Sequence, residues 1–410
     1  MPLPPESKPR PSRSRSPSPR RLDPVRAVAR GRTSKERTVN TVPDEYLLAS
    51  GESISALPKV SLHDHLDGAL RPQTIIELAE AVGIETPETD AAALGDWFTS
   101  QADSGSLVEY LKTFDVTIGV MQTREGLVRV AREYVQDLVA DGVLYGEVRW
   151  APEQHLTRGL TLDQTVEAVQ EGIEEGIADA AANGREVRVG QLVSAMRHAH
   201  RGLEIAELAV RHRDNGVVGF DIAGAEAGFP PANLRTAFDY LAEHFFPATV
   251  HAGEADGLDS IRSALIDGRA LRLGHGVRLA EDIVVERQDD ENTYVSLGRL
   301  SQWVKDREIV LETSPSSNLQ TGAIAQWGDD LVDHPFDLLY QLGFRVTVNT
   351  DNRLMSGTTL SRELALLSET FDYDLDDILA FQLNAAAGAF LPLEEREDLA
   401  DALAAGFDDV

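Results

Sequence analysis

The feature that most constrains the fold is an alternation, from residue 55 onward, of short apolar runs with longer amphipathic stretches. Short β-rich runs separated by helical patterns are typical of βα units that build a parallel sheet. Eight runs qualify as strands: Lys59–His63, Leu144–Trp150, Val187–Val193, Val217–Ile222, Ala248–His251, Leu271–His275, Ile309–Glu312 and Arg345–Thr350. This number predicts an α/β fold, a TIM-type (β/α)₈ barrel, rather than an open doubly wound sheet.

Several segments between these runs are predicted helices, because apolar residues recur in them every three or four positions. They include Thr165–Ala182, Gly202–Asn215, Asn233–His244, Gly257–Asp267 and His334–Leu342. The first connection, from Arg71 to Asp141, is long and helical. In a barrel such an insertion lies over the carboxyl ends of the strands, where a lid belongs. Residues 282–300 are polar and predict a surface excursion before the seventh strand.

The chain has no cysteine, so disulfides, thiolate zinc sites and cysteine nucleophiles are excluded. Any transition metal must therefore bind to His, Asp or Glu. With 42% hydrophobic and 26% charged residues, the composition is that of a globular protein with a sizeable core. No run approaches the roughly 18 apolar residues of a membrane helix, and no apolar signal region follows the Arg20-Arg21 pair. We expect a cytoplasmic protein without a membrane partner.

Residues 1–40 differ in composition from the rest of the chain. They hold eleven Lys/Arg against three Asp/Glu and include a run rich in Pro, Ser and Arg, so we expect a disordered basic tail. One folded domain is predicted over residues 41–410. The whole chain has a net charge of −30, so this domain is strongly acidic and is not expected to bind nucleic acid. Polyanion binding by the tail is an alternative to a merely solvated extension.

Five residues at predicted strand ends have the chemistry of a metal site. His63 and His65 are two apart at the end of the first strand, so their side chains point the same way and can chelate one ion. His251 and His275 end the fifth and sixth strands, and Asp351 follows the eighth. The carboxyl ends of barrel strands converge on one mouth, so these residues are predicted to meet there. Core histidines with a purely structural role are the competing interpretation.

Three or four imidazoles and a carboxylate, with no thiolate, suit Zn²⁺ acting as a Lewis acid. We predict one ion per chain, because no lysine stands at a strand end where a carbamate could bridge two metals. A His-x-His pattern alone is weak evidence, since His198 and His200 repeat it after the third strand. Glu254, three residues after His251, is a candidate general acid and base. A glutamate that only stabilises a helix N-terminus is the alternative.

Many ordered motifs accompany these residues. They are His63-Asp64-His65-Leu66-Asp67-Gly68-Ala69, Tyr145-Gly146-Glu147-Val148-Arg149-Trp150-Ala151-Pro152, Met196-Arg197-His198, Gly219-Phe220-Asp221-Ile222-Ala223-Gly224, His251-Ala252-Gly253-Glu254, Gly274-His275-Gly276, Ser314-Pro315-Ser316-Ser317-Asn318 and Asn349-Thr350-Asp351. In these motifs the chain resembles the adenosine/AMP deaminase family of the metal-dependent amidohydrolase superfamily, and its adenosine deaminase branch most closely. The resemblance runs from about Leu57 to Ala387.

The resemblance implies roles for the site residues. The implied zinc ligands are His63, His65, His251 and Asp351. By the same resemblance, His275 orients or deprotonates the zinc water, and Glu254 protonates purine N1. The position of His275 at a strand end also allows it to bind the metal, and ligation remains the alternative.

Purine-binding residues are implied in the same way. Asp67 would accept the ribose 5′-hydroxyl, and Gly224 would donate its backbone N–H to purine N3, with His65 and Asn352 also contacting the substrate. A glycine needed only for a left-handed turn is the alternative for Gly224. The chain departs from the family at Asp351-Asn352-Arg353, where relatives carry a second aspartate and a proline. Purine N7 needs a donor, which Asn352 supplies as a neutral amide and an aspartate only when protonated.

The implied reaction is zinc-dependent hydrolytic deamination of adenosine and 2′-deoxyadenosine to inosine and 2′-deoxyinosine, with release of ammonia, as in purine salvage. The predicted partner is thus a small purine nucleoside. AMP is disfavoured, because the acidic composition offers few partners for a phosphate. Free adenine or another 6-aminopurine is the alternative within the family. A catalytically idle binding protein on the same barrel is the alternative of a different class.

Other side chains are interpreted mainly as structural: His155, His200, His212, His244 and His334. Arg197 and His198 are predicted near the pocket, because the family has Met-Arg-His there. Apolar residues at helical spacing in the first insertion form either a lid or ordinary core: Leu107, Tyr110, Leu111 and Phe114.

Overall fold

The computed structural model describes residues 45–288 and 293–408. Within them the chain forms ten strands: β1 Lys59–His65, β2 Val143–Trp150, β3 Arg188–Met196, β4 Val217–Ala223, β5 Thr249–Ala252, β6 Arg272–His275, β7 Ile283–Gln288, β8 Thr293–Leu297, β9 Val310–Thr313 and β10 Val346–Val348. The basic tail predicted for residues 1–40 lies outside the described residues.

Eight of these strands run parallel in two four-stranded sheets, ordered β1-β2-β3-β4 and β5-β6-β9-β10. Parallel bridges link the sheets at both seams: Phe220 of β4 pairs with Ala248, just before β5, and Asp64 of β1 pairs with Asp351, after β10. At the second seam, His65 N–H donates to the Asp351 carbonyl at 2.8 Å, and Asp351 N–H donates to the His63 carbonyl at 3.0 Å. The strands thus follow the circular order of a (β/α)₈ barrel, as predicted.

Sixteen α-helices accompany the strands in the described part of the chain. They are α1 Pro72–Val82, α2 Ala91–Ala102, α3 Leu107–Tyr110, α4 Phe114–Val120, α5 Arg124–Ala140, α6 Leu162–Ala182, α7 Gly202–Arg211, α8 Arg235–Glu243, α9 Leu258–Ile266, α10 Arg299–Asp306, α11 Pro315–Gln320, α12 Phe336–Gln341, α13 Arg353–Ser356, α14 Leu360–Phe371, α15 Leu375–Gly388 and α16 Leu393–Asp408. None of the described helices is long and apolar enough to cross a membrane.

Local sequence signals explain how the longest helix begins and packs. The Thr161 hydroxyl caps α6 by accepting a hydrogen bond from the Gln164 N–H, and the Gln164 side-chain oxygen accepts one from the Thr161 N–H. The two bonds form a capping box. Gly172 of α6 lets α5 approach closely, because a Cβ at this position would lie 2.2 Å from the Val128 carbonyl oxygen. The predicted helix from Thr165 is therefore confirmed and starts three residues earlier, at Leu162.

The structure confirms the eight predicted barrel strands and the helical first connection, which contains α1 to α5. It confirms that residues 282–300 are a surface excursion before the seventh barrel strand, since Val284 and Val285 are more than half exposed, and it adds strands that were not predicted there. Here β7 and β8 pair antiparallel as a hairpin, and α10 begins at Arg299. Residues 289–292, part of the polar run behind that interpretation, lie outside the described residues. Strands form here because the segments on either side of the polar run are rich in β-branched residues, which favour strands. These segments are Ile283–Val285 and Thr293–Val295.

Candidate active site

A cavity of about 450 Å³ brings the predicted site residues together. They come from different strand ends of the barrel: His65 is the last residue of β1, His275 is the last residue of β6, and Glu254 follows β5. The lining of the cavity includes His65, Asp67, Gly224, His251, Glu254, His275, Asp351 and Asn352. The volume is in the range of small-molecule sites.

Four buried side chains form a group with the spacing of metal ligands: His63, His65, His251 and Asp351. The Nε2 atoms of His65 and His251 lie 3.2 Å apart. Oδ1 of Asp351 lies 3.2 Å from Nε2 of His63 and 3.3 Å from Nε2 of His65. Neighbouring ligand atoms on an ion with bonds of about 2.0–2.1 Å lie roughly 3 Å apart. The group therefore has spacings that suit the binding of one divalent ion.

Carboxylates hold two of these imidazoles from behind. Nδ1 of His63 lies 3.1 Å from Oε2 of Glu312 on β9, and Nδ1 of His251 lies 2.8 Å from Oδ2 of Asp221 on β4. Each contact fixes the ring so that Nε2 points into the ligand group, the usual arrangement behind metal-binding histidines. Burial lowers the pKa of His251 to about 4, against the opposing effect of Asp221. His251 is therefore neutral at physiological pH, as a metal ligand must be.

Both carboxylates belong to a buried ionic network inside the barrel. Arg149 of β2 donates through Nη1 to Asp221 at 2.9 Å and through Nη2 to Glu312 at 2.7 Å. Arg272 of β6 contacts the other oxygen of Glu312 at 2.5 Å and Glu147 at 2.5 Å. Burial would raise the pKa of Glu312, but Arg149 and Arg272 hold it well below its ordinary value. The site residues thus stand on a layer of fixed charges.

Asp351 and His275 occupy unusual backbone positions. Their φ angles are 58° and 63°, in the left-handed region that non-glycine residues rarely adopt. The Ser317 hydroxyl donates to Oδ2 of Asp351 at 2.6 Å, which leaves Oδ1 facing the histidines. Burial raises the pKa of Asp351, but hydrogen bonds from His63 and His65 keep it well below its ordinary value. Such strain at two site residues is typical of functional positions.

Glu254 is 4% exposed and its Oε1 has no hydrogen-bond partner. Burial, with Asp351 and Glu226 nearby, raises its pKa well above the ordinary value. The other oxygen lies 3.5 Å from Nε2 of His275. A raised pKa favours the protonated form of a carboxyl group, which can donate its proton to a bound molecule.

His275 is held by a relay of hydrogen bonds that begins at the backbone. The Phe336 N–H donates to Nδ1 of His334 at 3.0 Å, so Nε2 of His334 carries its proton and donates to Oδ1 of Asn318 at 3.1 Å. The Asn318 amide N–H₂ therefore faces Nδ1 of His275, at 3.0 Å. Because Nδ1 accepts, the proton of the neutral His275 ring lies on Nε2, on the side of Glu254.

The substrate-facing residues leave polar atoms without partners. Oδ1 of Asp67 and Oδ1 of Asn352 are buried and make no hydrogen bond. Gly68 makes room for Asn352, since a Cβ there would lie 2.0 Å from its Oδ1. Gly224 fits both interpretations made from the sequence, contact with the purine and a left-handed turn, because it lines the cavity and has a φ of 93°. Arg353, where the family has proline, pairs through Nε with Oδ2 of Asp64 at 2.9 Å.

Part of the first insertion covers the cavity. Its lining includes Leu107, Tyr110, Leu111 and Phe114, so the predicted lid residues do line the cavity. His198 also lines it, whereas Arg197 lies behind the wall and donates through Nη1 to the Phe229 carbonyl at 2.8 Å.

Sequence reasoning missed several residues that support the site. Asp221 and Asn318 stood in recognised motifs, and their position next to motif histidines was the available signal. Ser194 of β3, whose buried hydroxyl faces the cavity without a partner, gave no signal. His334 was interpreted as structural and in fact lies two hydrogen bonds from His275.

Comparisons with known proteins agree on one family. The family model described as adenosine deaminase matches residues 58–406. Adenosine deaminase 1 of Streptomyces coelicolor is 58% identical over 348 residues, covering 85% of this chain and 86% of that protein. Adenosine deaminase of Mycobacteroides abscessus is 53% identical over 350 residues, covering 85% and 94%.

Solved structures agree with the fold. An adenine deaminase from Arthrobacter aurescens is 24% identical with a TM-score of 0.72, covering 85% of this chain and 98% of that one. An amidohydrolase from Burkholderia ambifaria, solved with bound Zn, is 23% identical with a TM-score of 0.72, covering 89% and 96%. Family model, relatives and site geometry lead to one assignment: the chain belongs to the adenosine deaminase family.

Proposed function

We propose that this chain hydrolyses adenosine and 2′-deoxyadenosine to inosine and 2′-deoxyinosine with release of ammonia, using one zinc ion. The observation that carries the proposal is the ligand group His63, His65, His251 and Asp351, of which all but His63 line the same cavity as Glu254. Relatives more than 50% identical over 85% of the chain are named adenosine deaminase, which supports adenosine as the substrate here.

The ligand group suits zinc by its chemistry. Three imidazoles and one carboxylate within reach of a single ion, with no thiolate, are typical of Zn²⁺. When bound, zinc supplies a Lewis acid that makes a water molecule nucleophilic near neutral pH. The protein's own part is to hold the four ligand atoms, which Glu312 and Asp221 do from behind.

Glu254 is the proposed proton carrier. Burial and the nearby carboxylates raise its pKa well above the ordinary value, which favours the protonated form that donates to purine N1. Protonation at N1 prevents negative charge from accumulating on the ring while water oxygen adds to C6. Glu254, now a carboxylate, accepts one proton from that oxygen and passes it to the amino group, so that the C6–N bond breaks and ammonia leaves. The second proton of the water returns to Glu254 as the C6 carbonyl forms, which restores its carboxyl group.

His275 orients the attacking water in this proposal. Its Nδ1 is occupied by the Asn318 amide, so its Nε2 proton is the group available to the cavity. A neutral imidazole in this tautomer donates a hydrogen bond to water oxygen and cannot accept the water's proton at Nε2. The relay through His334 therefore favours orientation over deprotonation, the two roles that the resemblance left open.

The purine is proposed to lie between Asp67, Gly224 and Asn352. The unpaired Oδ1 of Asp67 can accept a ribose hydroxyl, and the Asn352 amide can donate to N7. A phosphate finds little support, because Lys112 is the one lysine in the cavity lining and already pairs with Glu109 at 2.5 Å. The site thus favours a nucleoside over AMP.

The test is the fall in ultraviolet absorbance when zinc-loaded protein is mixed in parallel with adenosine, adenine and AMP. We expect a rate on adenosine that disappears in Glu254→Gln while the zinc content stays at one per chain. A higher rate on adenine would replace the nucleoside with the free base. Zinc-loaded protein that is inactive on all three substrates would contradict the proposal.

A further inference from the structure

A second buried glutamate organises the loop that carries Glu254. Glu226 lies two residues after Gly224, and it is 3% exposed. Its Oε1 accepts bonds from the Gly253 N–H at 2.6 Å and the Ser260 hydroxyl at 2.5 Å. Its Oε2 accepts bonds from three successive backbone N–H groups: Glu254 at 3.1 Å, Ala255 at 2.7 Å and Asp256 at 3.0 Å.

These five donors form an anion-binding concavity filled by the protein's own carboxylate. Gly253 has a φ of 75°, which turns the chain so that the following N–H groups point to one centre. Hydrogen bonds from N–H groups to an ionised carboxylate are about twice as strong as neutral ones. Such a cluster holds residues 253–256 far more rigidly than an ordinary turn.

Glu226 also joins two walls of the cavity. Gly224 and Ala225, directly before it, line the cavity, and Glu254 lines it from the loop that Glu226 holds. Glu226 itself does not line the cavity. From a third direction, Arg197 donates to the carbonyls of Phe229 and His251, so it brings a compensating positive charge to the same place.

We propose that Glu226 is a positioning residue for the deamination: it fixes the distance between the purine-binding turn at Gly224 and the proton donor Glu254. This inference rests on the proposed function, in which Glu254 carries the proton. Proton transfer requires hydrogen-bond reach, and a misplacement of about 1 Å can cost roughly a hundredfold in rate. Glu226 therefore acts on turnover through Glu254, without contacting the substrate.

The sharpest variant is Glu226→Gln. It is nearly isosteric, but its N–H₂ group must face either the Gly253 N–H or the three N–H groups on the other side, and a donor cannot accept from them. We expect kcat for adenosine to fall roughly 10- to 100-fold, with KM and the dissociation constant of inosine changed less than about threefold. Glu226→Asp keeps the charge and should recover part of kcat.

Asp282→Asn is the matched control. Asp282 also accepts backbone N–H groups at a helix start, from Leu300 at 2.9 Å and Ser301 at 2.8 Å, but it lies outside the cavity lining. We expect this variant to lose stability and keep kcat. The same preparations should be compared by zinc content, thermal unfolding and hydrogen exchange of the amides of residues 253–256, which should exchange faster in Glu226→Gln alone.

The outcomes separate this inference from the proposed function. An active wild-type protein whose Glu226→Gln variant folds, binds zinc and keeps kcat would overturn the positioning role. A fall in kcat shared equally by Asp282→Asn would overturn it as well, since general destabilisation would then explain both. If Glu226→Gln does not fold, the same comparison is made with Glu226→Asp. A wild-type protein inactive on adenosine, with amides 253–256 still protected, would instead contradict the proposed function.

Discussion

Replacing Arg149 by methionine should destabilise both the barrel and its metal site. The guanidinium is fully buried and donates to Asp221 at 2.9 Å, to Glu312 at 2.7 Å and to the Leu62 carbonyl at 2.8 Å. Methionine fills much of the same volume but leaves two buried carboxylates without this partner. Removing one member of a buried ionic group costs about 3–5 kcal/mol of unfolding free energy. At about 1.4 kcal/mol per factor of ten, the unfolding equilibrium constant should rise by at least two orders of magnitude.

The same substitution should weaken metal binding without touching a ligand. Asp221 and Glu312 hold the rings of His251 and His63, and Arg149 holds both carboxylates. Disturbing the groups behind metal-binding histidines typically lowers affinity about 10- to 100-fold. Arg149→Lys should fall in between, because one ammonium group replaces a planar fork that reaches both acids.

The assay is urea unfolding of metal-free protein by circular dichroism, together with zinc competition against a chelator. Arg211→Met is the control: Arg211 also makes two bonds to one aspartate, Asp163, at 2.7 and 3.0 Å, but its side chain is 51% exposed. A surface pair of this kind contributes about 0–1 kcal/mol. If the Arg149 and Arg211 variants lose equal free energy and bind zinc equally well, the network does not support the site as argued.

Three further predictions follow from single residues. Asn352→Asp should keep activity at mildly acid pH and lose it progressively above neutrality, because an aspartate donates to N7 only when protonated; a constant ratio of the two pH–rate profiles would contradict this. Asp67→Ala should raise KM for adenosine with little effect on kcat, and an unchanged KM would remove Asp67 from the ribose site. Burial lowers the pKa of His155 to about 4, below the unfolded value of about 6.5, so its contribution to stability is complete above pH 6.5 and is lost as pH falls toward 4. Metal-free His155→Gln should therefore lose less unfolding free energy than wild type over this window, by about 1.4 kcal/mol per pH unit, and equal losses in urea titrations would disprove it.

Periodicity in the sequence was enough to predict the barrel and the meeting of His63, His65, His251, His275 and Asp351 at its mouth. The division of these five into four metal ligands and His275 came from the family resemblance and stays a prediction. Parallel buried strands read as short apolar runs, and the residue at each strand end is fixed by counting along the run. His63 and His65 could therefore be predicted on one strand, and His275 at the end of another. The fold then brings strand ends together by its own symmetry, so no pairing between distant residues had to be known.

The ionic layer below the ligands could not be derived in this way. Arg149 and Glu312 lie 163 residues apart and meet only because β2 and β9 face each other across the barrel interior. The sequence alone makes each look like an exposed charge in a strand. The hydrogen bonds that connect His334 to His275 could not be predicted for the same reason, because they depend on the path of a loop after α11. Long-range polar pairing has no periodic signal.

The charges of that layer also bear on the ion. Two guanidinium groups, those of Arg149 and Arg272, face three carboxylates, which are Asp221, Glu312 and Glu147. Asp351 adds a fourth carboxylate beside the histidines, so among these six buried side chains the carboxylates outnumber the guanidinium groups by two. Buried charge is costly unless it is compensated, and a divalent cation cancels this excess. The barrel interior therefore favours a divalent over a monovalent ion before any ligand distance is considered. In Arg149→Met the same carboxylates would outnumber guanidinium groups by three, and a divalent ion would balance only two of them.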